Sequence, residues 1–309
     1  MRPRVLVVGS INMDLIVRCS ELPRRGETVR GEEFRTAAGG KGANQAVACA
    51  RLGAATTMVG RVGEDEFGRS LRDDLAAERI NVESVRGDRE AATGVALILV
   101  EHDGSNRIVV IGGANARMGA EEAERARALL AVCNVVLMQL ETPLPVVREV
   151  ALAARERGVL SVLDAGAATP AAAEMGLPGL VDVLSPNEPE TEALTGIAVR
   201  NLETAREAAQ ALREMGAHEV ILKLGRDGAW WSGPEGEAHF PAFPVDPVDT
   251  TAAGDAFTGC LAVGLAEGQG LREAIVRSNA AGALACLTLG AQPSMPTAEQ
   301  LEAFLRERG

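Results

Sequence analysis

The sequence predicts an α/β fold: a three-layer α/β/α sandwich with a mostly parallel central sheet, accompanied by a small second β-sheet. Three observations predict it. Short apolar runs alternate with helical patterns along most of the 309 residues, as expected for a parallel sheet covered on both faces. Several helical patterns stop at a glycine, at Gly53, Gly158 and Gly216, where helix C-termini favour a left-handed residue. Two segments break the alternation and read as antiparallel strands, which no β-α-β unit accommodates.

In chain order, the strand candidates are Val5–Val8, Thr57–Val59, Val135–Met138, Val159–Leu163, Val181–Leu184 and Val220–Leu224. Helical patterns cover Ala43–Leu52, Glu66–Glu78, Glu121–Ala131, Pro143–Arg157 and Leu202–Met215. Residues 11–39 contain two strand-like pieces around the polar loop ELPRRGE, and 94–111 read as a hairpin turning at HDGSN. These pieces make a small sheet inserted twice into the large domain. The division is therefore 1–10, 40–91 and 114–309 for the large domain, and 11–39 with 92–113 for the small one. So small a sheet is marginal alone and exposes its edges, so it must lie over the main domain or pair with a second subunit. Beyond Leu224 come a hairpin around Gly-Pro-Glu-Gly, a helix from Gly254 to about Glu267, a small-residue helix over Leu271–Leu289 and a final amphipathic helix.

Composition narrows the function. A net charge of −12 opposes binding of a phosphate backbone by the surface as a whole. A local anion site built from backbone N–H groups is unaffected by that balance. No apolar run is long enough to span a bilayer. The run after Met1 breaks at Gly9-Ser10 with no cleavage site beyond, so it reads as a first buried strand. Five scattered cysteines without a C-x-x-C pair read as reduced thiols of a cytoplasmic protein. The three histidines are too dispersed to suggest a metal cluster. Only two lysines, Lys41 and Lys223, occur among 31 basic residues, which draws attention to where a compact ammonium is wanted instead of a guanidinium.

Six stretches have the composition of ligand sites. In AAGGKGANQAVA (37–48), glycines permit close backbone approach, and Lys41 and Asn44 supply donors at a helix start. It is neither a P-loop nor a dinucleotide fingerprint. In GSINMDLIV (9–17), Asn12 and Asp14 point to one side of a strand, a donor and acceptor mix that suits vicinal hydroxyls. Glu141 in LMQLETP follows a parallel strand at the edge where open α/β sheets bind ligands. In SPNEPETEAL, Asn187 and Glu190 read either as a helix capping box or as a place for a hydrated magnesium ion. In LKLGRDGAW, Lys223 stands before a Gly225–Gly228 turn and is a candidate phosphate contact.

The sixth stretch, DTTAAGDAF (249–257), puts Ala252, Ala253 and Gly254 before Asp255 at a helix start. An ordinary cap would place the acid or hydroxyl first and tolerate bulk after it. Bare residues instead leave amides open to an anion, beside a carboxylate able to take a proton from a hydroxyl. That is the arrangement phosphoryl transfer to an alcohol needs.

GGKGANQAVA and DTTAAGD together closely resemble the two signature motifs of the ribokinase family, the PfkB-type carbohydrate and nucleoside kinases. GSINMD, MQLETP, PNEPE, LGRDG and GAQPS extend the match in order along nearly the whole chain. The resemblance implies a ribokinase-like sandwich whose small sheet is a lid, and lids that pair in a homodimer. It implies transfer of the ATP γ-phosphoryl group to a sugar primary hydroxyl, O5 of D-ribose. By motif, Asp255 is the base and the Ala252, Ala253 and Gly254 amides form the anion hole. Asn12, Asp14, Gly39, Gly40, Lys41, Asn44 and Glu141 then contact the sugar. Asn187, Lys223, Leu224, Gly225, Arg226, Asp227, Gly228, Gly254 and Asn279 line the ATP site. Glu190 helps organise Mg2+ through water, and Asp249, Thr251, Ala285, Thr288, Gly290 and Ser294 match a K+ site.

Two stretches depart from the ribokinase pattern. LDAGAA (163–168) stands where Asn-Pro-Ala is often found, and Lys223 where threonine is usual, although other sugar kinases of the family carry lysine there. Asn12 and Asp14 point back to ribose. The alternatives are a kinase for another sugar or nucleoside (fructose, deoxyribose, adenosine, pseudouridine) and a non-catalytic sugar or nucleotide sensor. The absence of tyrosine and an aromatic content of 3% leave little to stack on a nucleobase.

Overall fold

The computed structural model describes residues 2–102 and 105–308. The chain begins β1 (Arg4–Val8), β2 (Asn12–Arg18), β3 (Glu33–Gly39), α1 (Lys41–Arg51), β4 (Ala55–Gly63), α2 (Glu66–Ala77), β5 (Asn81–Asp88), β6 (Gly94–Val100) and β7 (Asn106–Ile111). It continues through α3 (Ala120–Leu129), β8 (Val135–Gln139), α4 (Leu144–Arg157), β9 (Leu160–Asp164), α5 (Pro170–Glu174), β10 (Val183–Ser185), α6 (Glu188–Thr195) and α7 (Leu202–Glu214). The last part holds β11 (Glu219–Lys223), β12 (Ala229–Gly233), β13 (Gly236–Phe240), α8 (Ala253–Ala266), α9 (Leu271–Ala285), α10 (Ala291–Ser294) and α11 (Ala298–Arg308).

Nine strands form one sheet in the order β13-β12-β11-β10-β9-β8-β1-β4-β5. Pairing is parallel from β5 to β11, and the β12–β13 hairpin closes one edge antiparallel. The sheet is the middle of a three-layer sandwich. Along β1 and β8, Val5, Val7, Val135 and Leu137 pack with residues of α1, α8 and α9. The intervening Leu6, Val8, Val136 and Met138 pack with α3, α4 and α7. This period-2 division is why these strands are apolar throughout: both faces are covered.

The second sheet has the order β3-β2-β6-β7 and is mixed, with β2 and β6 parallel. It contains the two segments that break the alternation. The turn expected at HDGSN includes Asp103 and Gly104, which lie outside the described residues. Strand β7 is exposed along its whole length.

The sequence expectation leaves out the short helices α5 and α10 and differs at two longer elements. Strand β5 was not anticipated. It is an edge strand, mostly polar on its open side, so its apolar signal is diluted. Helix α9 stops at Ala285 instead of Leu289. A longer helix would bond the Gly290 amide to the Cys286 carbonyl. Instead, Cys286 O accepts from Val248 N at 2.8 Å and Asp249 N at 3.2 Å, and Gly290 N donates to Asp249 Oδ2 at 2.8 Å. The loop before α8 therefore outcompetes the last helical turn.

Candidate active site

The carboxyl edge of the large sheet collects the polar residues. The turn after β1 supplies Ser10, the end of β8 leads to Glu141, β9 ends at Asp164, β10 leads to Asn187 and Glu190, and β11 ends at Lys223. The N-termini of α1 and α8 meet over this edge. Helix α1 begins there because Gly40 has φ +89, and a Cβ on it would stand 2.8 Å from Asn12 N. Only glycine fits both demands.

Helix α8 starts without a side-chain cap: Ala252 occupies the cap position in the left-handed region, φ +60. Its first turn is incompletely bonded. The Ala253 amide reaches Thr250 O at 3.3 Å, but no described residue accepts from the amides of Ala252, Gly254 or Asp255. Of the three amides expected to form an anion hole, those of Ala252 and Gly254 are open, as is that of Asp255, while Ala253 N makes this one long turn contact. Ala167, φ +64, is another of the three described non-glycine residues in this costly conformation, and it too belongs to a loop at the carboxyl edge.

Asp255 does not cap its own helix. Its carboxylate is buried, and accepts from Asn44 Nδ2 and Gln45 Nε2, each at 2.9 Å. Gln45 is in turn held by Gln139, whose Nε2 donates to Gln45 Oε1 at 2.6 Å. Burial pushes the Asp255 carboxyl above its ordinary value and the Asp164 charge adds to this, while Lys41 and the two amide donors pull it back. Asn44 Oδ1 is buried with no partner, so this side chain holds the acid with one end and offers an acceptor with the other.

Asn12 is buried at the start of β2, with Oδ1 accepting from Asn115 Nδ2 at 2.7 Å. The Asp14 carboxylate lies over Gly39, where a Cβ would come within 2.4 Å of its oxygens. Glu141 Oε2 accepts from Ser10 Oγ at 2.5 Å and from Lys41 N at 3.2 Å. Burial, then the charges of Glu141 and Asp255, raise the Asp14 carboxyl to about 7.

A raised acid is linked to stability with a definite sign. The folded protein holds a proton that the unfolded chain releases above about pH 4, so stability is lost as pH rises from there through 7. Asp14→Asn is expected to be more stable than the parent at pH 8, by about 1–2 kcal/mol after allowing for solvent screening. The gain should vanish near pH 4; denaturant melts at the two pH values test it, and an equal effect at both refutes the assignment.

Lys41 crosses the site. Its stem lies against Gly166, where a Cβ would meet Lys41 Cδ and Cε at 2.2 Å, and its Nζ stands 4.0 Å from Glu190 Oε1. Burial would lower its pKa, but the charges of Asp255, Asp164, Glu190 and Glu141 outweigh this and keep the ammonium charged. The capping-box reading of Asn187 and Glu190 is met: Glu190 N donates to Asn187 Oδ1 at 2.9 Å, and Asn187 N to Glu190 Oε2 at 2.8 Å. Burial and the Asp164 charge raise the Glu190 carboxyl, partly offset by Lys223 and Lys41.

Lys223 is buried and ion-paired to Asp164 at 2.6 Å. Leu224 is buried after it, a short 3-10 turn covers Gly225–Asp227, and Gly228 follows at φ +90. Asn279 Nδ2 donates to Phe240 O at 3.0 Å and Pro241 O at 3.2 Å, so only its oxygen is left for a ligand. The segment 249–251 is tied to 286–290: Asp249 Oδ1 accepts from Thr251 N at 2.9 Å and Thr251 Oγ1 at 2.6 Å, and Oδ2 from Gly290 N. Ser294 Oγ donates to Ala291 O at 2.7 Å. Among the described residues no group of three or more His, Cys, Asp or Glu could hold a metal ion by itself.

Sequence reasoning missed Gln45, Gln139, Asn115, Asp164 and Thr258 as parts of this network. All five are buried. A polar residue on the apolar face of a helix, such as Gln45 in α1, was the available signal.

Known proteins resemble this chain along nearly its whole length. Residues 2–298 match the family described as pfkB family carbohydrate kinase. The chain is 37% identical over 305 residues to a ribokinase of Haemophilus influenzae, covering 99% of each. It is 35% identical over 301 residues to a deoxyribokinase of Salmonella typhi, covering 97% of this chain and 98% of the relative. In structure it is similar to Arabidopsis thaliana ribokinase complexed with ribose and ATP, with a TM-score of 0.90, 35% identity and 99% of each chain covered.

Proposed function

The chain belongs to the pfkB family of carbohydrate kinases, and from that premise we propose that it is a ribokinase, transferring the γ-phosphoryl group of ATP to O5 of D-ribose. One observation carries the mechanism: the Asp255 carboxylate is turned away from its own helix and held by Asn44 and Gln45, while the amides beside it stay open. The sugar lies against Asn12, Asp14, Gly39, Gly40, Lys41, Glu141 and the open Asn44 oxygen. Asp255 takes the proton of the O5 hydroxyl as the O5–P bond forms and the bond from phosphorus to the ADP oxygen breaks. The amides of Ala252, Gly254 and Asp255 receive the charge on the phosphoryl oxygens. Asn187, Asn279 and the segment 223–228 hold the nucleotide.

Both Glu190 oxygens already accept hydrogen bonds within the cap, which fits a Mg2+ held through water instead of directly. Asp249, Thr251, Ala285, Thr288, Gly290 and Ser294 offer mainly neutral oxygens, a donor set that suits K+. These cations would neutralise phosphate charge and order the loop before α8. A second reading, phosphorylation of deoxyribose, is favoured by the similarity to the Salmonella relative.

A coupled assay with ATP and magnesium over ribose, deoxyribose, fructose, adenosine and pseudouridine tests the proposal. The highest kcat/KM is expected for D-ribose. Preference for another acceptor replaces the substrate, and no turnover with any ends the kinase reading. The rate should also rise when potassium replaces tetramethylammonium; indifference removes the cation site.

The second sheet we read as a lid that pairs with its copy in a homodimer of the cytoplasm. Ile108, Val109, Val110 and Ile111 on β7 and Phe34 on β3 are each at least half exposed, more apolar edge than a monomer usually shows. Light scattering should give twice 32.2 kDa, and Val110→Lys should reduce it; a monomeric parent refutes the pairing.

A further inference from the structure

Asp164 ends β9 and has no solvent exposure. Its Oδ2 accepts from Lys223 Nζ at 2.6 Å and from Thr258 Oγ1 at 2.7 Å, and its Oδ1 from Gly166 N at 2.9 Å. The Lys223 backbone is fixed as well: its N–H donates to Pro186 O at 2.8 Å and it bridges to Asn187. Its ammonium lies 4.0 Å from the point where a Cβ on Gly254 would stand, and apart from the adjoining residues and the backbone of α8 no other atom comes as near. It therefore borders the open space at the first turn of α8.

Stability alone does not account for this ion pair, because an apolar pair of similar shape would serve as well or better. An ammonium has three N–H donors. Asp164 takes one and Thr258, at 3.3 Å, a second; no described residue accepts from the third. Burial works against the Asp164 charge, but Lys223 and Lys41 more than compensate and hold its carboxyl below the usual range.

We propose that Asp164 is a positioning residue for phosphoryl transfer: with Thr258 it fixes the Lys223 ammonium beside the open amides of α8, where the remaining donor meets the terminal phosphates of a nucleoside triphosphate. The inference deepens the kinase reading and rests on it. It also makes the two departures from the ribokinase pattern one paired change, since either residue without the other is a buried uncompensated charge.

The test combines Asp164→Asn with Lys223→Met, which removes both charges and keeps the volume. Calorimetry then compares AMP with the β,γ-imido analogue of ATP in the presence of magnesium. The double variant should melt near the parent and bind AMP within about twofold, but the triphosphate analogue roughly ten- to a hundredfold more weakly. Thr258→Val leaves both charges in place and loosens the ammonium, so it should weaken the analogue severalfold and spare AMP, even if the double variant does not fold. Parent-like preference for the triphosphate in either variant overturns the proposal. A parent protein that binds neither nucleotide overturns the kinase reading, and this one with it.

Discussion

Asp255→Asn is expected to lower kcat by about 10²–10⁴-fold while leaving sugar affinity nearly unchanged. The substitution keeps the shape of the side chain and its acceptor toward Gln45; the Asn44 amide, whose oxygen has no partner, turns over to accept from the new NH2. It removes the only function that geometry cannot supply, acceptance of the hydroxyl proton. The amide cradle, the nucleotide segment and the sugar contacts remain, so residual activity above the uncatalysed rate should persist, as it does when one member of a catalytic set is removed. Steady-state kinetics with calorimetric sugar binding separates the two effects. Parent-like turnover in the variant would show that the proton leaves by another route.

The pH dependence constrains the same assignment. Lys41 is the strongest influence pulling the buried acid back toward ionisation. The proposed base acts when ionised, so activity is expected to rise with pH through its pKa. Loss of the Lys41 charge should therefore displace the acid limb of the profile upward.

Much of this was legible from residue types alone. Apolar strands covered on both faces announce a parallel sheet, and β1, β4, β8, β9, β10 and β11 pair in this way. The hairpin at 94–111 and the pair of strands within 11–39 announced a second sheet because their alternation and turns are local. What stayed hidden depends on long-range meetings. The Asp164–Lys223 pair joins positions 59 residues apart, and the Gln139–Gln45 contact joins positions 94 apart. Neither residue of such a pair carries a mark of its partner in its own neighbourhood. The bare Ala-Ala-Gly run was informative for the opposite reason: it breaks a local rule, and no cap explains it. Even there, only the structure shows that Ala253 gives its amide to a turn.

The cradle allows a second test in which fold and function are expected to move in opposite directions. Gly254 is not in the left-handed region, and apart from the adjoining residues and the backbone of α8 a Cβ on it would meet nothing nearer than Lys223 Nζ at 4.0 Å. The Cβ of Gly254→Leu is therefore accommodated without strain, and the rest of its side chain extends into the open space beyond. Any gain from replacing glycine should be smaller than the ~1 kcal/mol of a helix interior, because Gly254 is the second residue of α8. The leucine side chain, however, would project into the space bordered by the free amides and the Lys223 ammonium, where the proposed transfer takes the phosphoryl group. Donors that act on a transition state are worth about 10²–10³ in rate when one is removed, and a leucine would mask more than one. The expected variant is one with an equal or higher melting temperature, kcat lowered by at least about 10²-fold, and sugar binding retained through Asn12, Asp14 and Asn44. Gly254→Ala should fall between the two. A folded Gly254→Leu protein with parent-like kcat would mean that the start of α8 is not where the phosphoryl group is received.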